Sequence, residues 1–296
     1  MLIEEGEIVE ARIMRDGIIP AGTILPARLI STGRNAVARA GSQEYLLPKG
    51  APGVTEGATL NIEVTREALT GSEPWKRPLA CVSDAAPADA PTVSGRTLPF
   101  PSPVDGMEAA GWSDLLDEAR SGIIAFPGGE LRVALTPAMT LIDVDGHLAP
   151  EQLALAGAAA AARCIRRHGI TGSIGIDLPT CRGKAARQTV AEAVDAILPA
   201  PFERTAVNGF GFLQIVRPRR HASLFELASD RAAFEARALL RRAARSTGAI
   251  TLVAHPAIVA ALAPDWIAEL ERQVGGVVAL RPDPSLAMAA AYAQRA

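Results

Sequence analysis

The chain has 296 residues, 49% of them hydrophobic, with 30 Lys and Arg against 32 Asp and Glu, a net charge of −2 and a mean hydropathy of +0.18. That is apolar material for more than one core, and it excludes intrinsic disorder; the near-neutral balance gives no overall attraction to nucleic acid. No apolar run reaches the roughly 18 residues a membrane helix requires, and the acidic opening MLIEEGEIVEARI is the opposite of a secretory signal, so a cytoplasmic protein with no membrane partner is expected.

Residues 7–69 carry five short β-like runs, EIVEARIM, TILPARLI, AVARA, EYLLP and TLNIEV, separated by Gly and Pro turns. Strands of that number and length predict a small closed barrel of the OB type over 1–83. Its Arg12, Arg28, Arg34 and Arg39 could track a nucleic-acid backbone, whereas the one aromatic of residues 1–70, Tyr45, reads as a half-buried strand residue rather than a stacking platform. A segment with prolines at 87, 91, 99, 101 and 103 then reads as a linker, or a long extended loop, over 84–110.

From 111 onward strand and helix alternate. Trp112 to Arg120 forms a short helix closed by Ser121-Gly122, and ELRVAL and MTLIDV are strands. An Ala-rich helix runs over 150–168 between Pro150 and Gly169, the usual placing of breakers. TGSIGIDL (171–178) is the next strand and 184–198 the next helix. Strand, helix, strand is a βαβ unit with parallel, adjacent strands. It places Asp143 and Asp177, in the matching words LIDVD and GIDLP, at the C-terminal ends of neighbouring strands, where α/β sheets bind ligands. Two carboxylates on strands about 4.8 Å apart can converge on a hard cation such as Mg²⁺, which fills its octahedron with water and phosphate oxygens. The same acids also fit a helix cap or the Asp145-Gly146 turn.

Other features are weaker. Nine arginines between Arg204 and Arg245 face three acids and could meet phosphates, but all but three of the chain's 30 basic residues are arginine, a bias that composition alone explains. Cys81, Cys164 and Cys181, without C-x-x-C spacing, read as buried thiols. His147 reads as a solvent-facing turn residue. There is no phosphate-binding G-x-x-x-x-G-K-[ST] loop and no nucleophile elbow.

In order and spacing the chain resembles the RNase E/G family of bacterial endoribonucleases. The core of that family runs through a Gly-Gly turn and strand, T-E-A-L-T-x-I-D-[VI]-N, a helix, G-x-I-x-I-D-F, a second helix and F-G-L-x-E-x-T-R. The counterparts here are FPGGELRVALTPAMTLIDVDG (126–146), TGSIGIDLP (171–179) and FGFLQIVRPR (210–219). Residues 236–264 and 275–284 resemble the family's small C-terminal domain, so the likeness covers most of 111–296 and, more loosely, 1–80.

The resemblance implies an α+β or α/β fold with an OB-type barrel at 1–83, a mixed α/β nuclease core at 111–220 and a small α/β domain at 221–296. It implies Mg²⁺-dependent hydrolysis of single-stranded RNA, leaving a 5′-phosphate and a 3′-hydroxyl. Asp143 and Asp177 match the metal-binding aspartates, Asp145 the asparagine beside them, and Arg217, with Arg219 following, the arginine that would contact substrate phosphate. Departures are Asp145 for that asparagine, Thr180 and Gln214 for two further acids, the lack of the zinc-linking cysteine pair, and a linker too short for the family's 5′-end sensor. Any self-association is therefore expected as a homodimer without a zinc link. The departures also motivate an alternative, a catalytically impaired relative that binds RNA or a protein partner.

Overall fold

A computed structural model describes residues 1–69, 76–91, 95 and 104–295. The chain divides into two compact units, one drawn from residues 1–98 and 105–226 and one from residues 99–104 and from Leu227 onward. Among the described residues no helix is long and apolar enough to cross a membrane.

The first unit opens with a hairpin, β1 (Leu2–Glu4) and β2 (Glu7–Glu10). A closed barrel follows from β3 (Ile24–Ser31), β4 (Ala36–Ala40), β5 (Gln43–Leu47), β6 (Thr59–Arg66) and β7 (Leu79–Val82), in the order β3-β4-β5-β7-β6. Neighbours are antiparallel except β5 and β7, which meet in parallel at Leu46 and Leu79. This is compatible with an OB-type barrel, with one correction. The run EIVEARIM is not a barrel strand: β2 pairs with β1, and the amide of Ala11 just beyond it donates to the Arg167 carbonyl at 3.0 Å. The fifth stave is LACV at 79–82. Alternation carries Leu29, Ala38, Tyr45, Leu47, Ile62 and Val64 into the barrel interior, all but sealed from solvent. Tyr45, 1% exposed, is thus core and not half-buried.

The start of the Pro-rich segment lies along the barrel: Ile24 and Ala88 exchange two backbone hydrogen bonds of 2.9 Å. Much of the remainder, 92–94 and 96–103, lies outside the described residues.

After α1 (Trp112–Ser121) a meander of β8 (Ile123–Phe126), β9 (Gly129–Leu135) and β10 (Thr140–Gly146) leads into α2 (Pro150–Arg167), β11 (Gly172–Asp177) and α3 (Lys184–Asp195). β12 (Glu203–Arg204) and β13 (Phe212–Arg217) complete a six-stranded sheet of order β12-β13-β11-β10-β9-β8. β10 and β11 are parallel and adjacent, as a βαβ crossover requires. The helices and hydrophobic core lie against one face. Ile142, Val144, Ile174, Ile176, Leu213 and Ile215 are buried there with α2 and α3 residues such as Ala158, Ile165 and Val190. Full burial of each branched side chain contributes roughly 1.5–3 kcal/mol. The alternate residues of the same strands face the other way and, apart from the buried Gly175, are exposed or half-buried.

α4 (Leu224–Ser229) leads from the first unit to the second, whose α5 (Arg231–Ala243), β14 (Ile250–Ala254), α6 (Pro256–Ala261), α7 (Pro264–Val274), β15 (Val278–Pro282) and β16 (Tyr292–Arg295) form a small α/β layer. Its sheet runs β15-β14-β16, with β14 and β15 parallel. Leu239, Leu252, Ile258 and Leu270 centre its core.

Candidate functional site

β10 turns Ile142 and Val144 inward and Leu141, Asp143 and Asp145 outward. Its register sets Asp143 opposite Asp177 of β11 on one side and Arg132 of β9 on the other. Register partners project to one face, so the outward row across the sheet reads Phe212, Asp177, Asp143, Arg132, Ile123. Asp143, Asp145, Asp177 and Arg132 are all exposed. The expected position at strand ends is thereby corrected for Asp143. The β9–β10 hairpin keeps pairing as far as Gly146, so this acid sits within its strand, on an open sheet face and not in a crevice between helices.

Electrostatics mark this face. Burial, then the charges of Asp145 and Asp177, push the Asp143 carboxyl above its ordinary range, while the Val144 backbone and Arg132 pull it down. Arg132 is held charged chiefly by hydrogen bonds to Glu130, at 2.7 and 2.9 Å, and its Nε stands 4.0 Å from Asp145. A divalent cation would relieve the crowding at Asp143, and a pair of carboxylates without imidazole or thiolate suits a hard ion. Among the described residues no three His, Cys, Asp or Glu side chains gather into a group that could hold a metal. Asp145 therefore does not close a cage with the pair; a cation bound here would meet two carboxylates, a number compatible with Mg²⁺ that keeps several waters.

Apolar packing flanks the acids. Gly175, two residues before Asp177, leaves room for neighbouring side chains: a Cβ there would stand 2.5 Å from the Phe212 ring, 3.0 Å from Leu141 and 3.0 Å from the Met139 sulfur. After Asp177 the chain places exposed Arg182 and Lys184 at the start of α3.

Arg217 and Arg219 are not brought to the acids. β13 is antiparallel to β11, with Phe212 beside Asp177 and Arg217 beside Gly172, about 16 Å further along the sheet at roughly 3.3 Å per residue. Arg217 donates to the Ile170 carbonyl at 2.9 Å, and burial pulls its pKa down against the charge of Glu10. Arg219 pairs with Glu226, which also accepts from the Ser223 amide and hydroxyl. Much of the arginine-rich stretch is likewise committed: Arg204 to Asp195, Arg237 over the Trp266 ring at 4.9 Å, Arg242 to the Ala291 carbonyl. Arg12, ahead of the barrel, pairs with Glu67; within the barrel Arg39 pairs with Glu44, and Arg28 donates to the Gly57 carbonyl. Of the three thiols Cys164 and Cys181 are buried, whereas Cys81 is only partly so. His147 is exposed in the turn after β10.

A cavity of about 450 Å³ lies elsewhere, between the β1–β2 hairpin, Glu118 and the end of α2, where the fully buried His168 ring stands 3.1 Å from Glu118.

Sequence reasoning missed Arg132. The signal was present, because pairing inward from the Thr136–Met139 turn brings residue 132 to 143. It also passed over Phe212, which only the fold places beside Asp177, and Phe210 in the turn before it.

Compared with known proteins, the chain matches no family model and no curated sequence.

Proposed function

We propose that this chain is a compact Mg²⁺-dependent endoribonuclease of RNase E/G type that hydrolyses single-stranded RNA, with the N-terminal barrel as an OB-type module. The observation that carries the reading is the register pairing of Asp143 with Asp177 on adjacent parallel strands of an uncovered sheet face. Asp143 and Asp177 would hold the ion. When bound, it supplies charge stabilisation at the phosphodiester and a nucleophile at neutral pH. Arg132 balances the acids in the free protein and stands ready to meet a phosphate, since a guanidinium serves either oxyanion. Asp145 adds a negative charge where substrate approaches, and Arg132, 4.0 Å away, offsets it. The commitment of Arg217 and Arg219 inside the fold moves the expected substrate contacts to Arg132, Arg182 and Lys184. Work in the cytoplasm, without a membrane, belongs to the same reading.

Purified protein incubated with single-stranded RNA tests it. Cleavage is expected with Mg²⁺ and absent with EDTA, and Asp143→Asn and Asp177→Asn should each lower the rate at least a hundredfold without loss of fold. Metal-independent cleavage, or full activity in both variants, would remove this assignment. A second reading, RNA binding without cleavage, is favoured by the missing third metal donor and by Asp145 and Gln214 at the motif's Asn and Glu positions. Wild type that binds RNA equally with and without Mg²⁺ and never cuts it would select that reading.

A further inference from the structure

The β12–β13 hairpin carries a feature that metal chemistry does not require. Phe210, at its tip, is 86% exposed, the most exposed of the large hydrophobic side chains among the described residues. Isolated surface apolar residues are common, but this one is presented by a turn built with care. The Asn208 side chain accepts hydrogen bonds from the amides of Phe210 at 2.9 Å and Phe212 at 3.0 Å, and the Gly211 amide donates to the Asn208 carbonyl at 3.2 Å. Gly211 has φ +94°, and a Cβ on it would stand 2.0 Å from the Leu178 carbonyl oxygen. No other residue allows that approach. The carbonyl of Gly211 in turn accepts from the Leu178 amide at 3.2 Å, so the turn is fastened to the residue that directly follows Asp177. The exposed ring therefore has a fixed mounting next to one of the two candidate metal ligands. Exposed Arg182 and Lys184 lie on the segment leaving the same strand.

We infer that Phe210 is a stacking platform for one nucleobase of the single-stranded substrate, adjacent to the phosphodiester held at Asp143 and Asp177. The inference rests on the nuclease reading and names a residue that positions its substrate. An aromatic face beside phosphate-seeking cations and a carboxylate pair matches the parts of a nucleotide in sequence: base, backbone charge, reacting phosphate. Stacking is tolerant of base identity because every base offers a π face, so the contact would favour unpaired strands over duplex without imposing a cleavage sequence. Among the described residues of the barrel no aromatic side chain is exposed, since Tyr45 is sealed inside.

Three variants of the full chain decide the matter: Phe210→Ala, Phe210→Leu and Phe210→Trp. The ring makes little contact with the core, so all three should melt as wild type does. Affinity is read by fluorescence anisotropy on a labelled single-stranded oligoribonucleotide in EDTA, and KM and kcat by cleavage in Mg²⁺. Phe210→Ala and Phe210→Leu should weaken binding and raise KM about tenfold or more with kcat nearly unchanged, and Phe210→Trp should restore both. RNA with a single abasic ribose, moved stepwise past the cleaved bond, should abolish the difference between wild type and Phe210→Ala at one position. Leucine performing as well as phenylalanine, or alanine without effect in a wild type that binds and cuts RNA, would overturn the platform and leave the nuclease intact. A wild type that neither binds nor cuts would overturn both.

Discussion

Asp143 ionises against the charges of Asp145 and Asp177 and against partial burial, and its carboxyl accordingly titrates above the ordinary range. The sign of the consequence for stability follows from linkage. The unfolded aspartate has a pKa near about 3.9, so the folded state holds this proton more tightly. The group's contribution is complete below that value and is lost as pH rises through the folded pKa. Asp143→Asn removes the loss: in metal-free buffer its Tm should exceed that of wild type at pH 7, and the gap should close as pH falls towards about 4. A variant less stable than wild type at pH 7 would mean that Asp143 is engaged in a favourable contact instead. At this scale the sequence was partly legible. The two acids stand out as polar letters in apolar strands, whereas Arg132 and Phe212 look ordinary until pairing places them beside Asp143 and Asp177.

Among the elements, α2 shows how a local pattern reaches the site. Pro150 starts the helix, Gly169 lies just beyond it, and Leu153, Ala154, Ala158, Ala161 and Ile165 make the face that buries against the sheet. Gly157 lies on that face where β10 comes closest. A Cβ there would sit 2.3 Å from the Val144 Cγ1, and Val144 is the residue between Asp143 and Asp145. Alanine would gain about 1 kcal/mol of helix propensity, but crowding a packed core costs about 1–3 kcal/mol. With Val144 fixed in a central strand the second effect should win. Gly157→Ala is expected to lower stability by up to about 2 kcal/mol, read from the urea midpoint at unchanged slope; a stabilised variant would mean that strand and helix part freely.

For the first unit as a whole, the barrel and the six-stranded sheet are tied through Glu67. This residue follows β6, is 6% exposed and accepts from Arg12, while Arg15 lies 3.7 Å away. Its amide donates to the Arg220 carbonyl at 2.9 Å, just after β13. Removing one partner of a buried ion pair costs more than the pair contributes, because the remaining charge loses its compensation. Glu67→Ala should therefore lower the unfolding free energy by roughly 3 kcal/mol, measured by chemical denaturation. A change below about 0.5 kcal/mol, the range of an ordinary surface substitution, would show that backbone contacts alone join the two parts.

The sequence by itself determined the βαβ unit, its helix limits and the matching acids of β10 and β11, because alternation, helical period and the placing of Pro and Gly are written within a few residues of the elements they govern. It also announced a five-stranded barrel, yet misassigned one stave: EIVE and LACV have similar local patterns, and only packing selects between them. Tertiary structure alone decided which side of the sheet the helices cover, and so that the acids face open space. It also set Arg217 at the far end of β13 and turned most of the surplus arginines towards internal carbonyls and carboxylates. Those outcomes depend on partners dozens of residues away, where the free energy of a contact comes from geometry that no short stretch of chain contains.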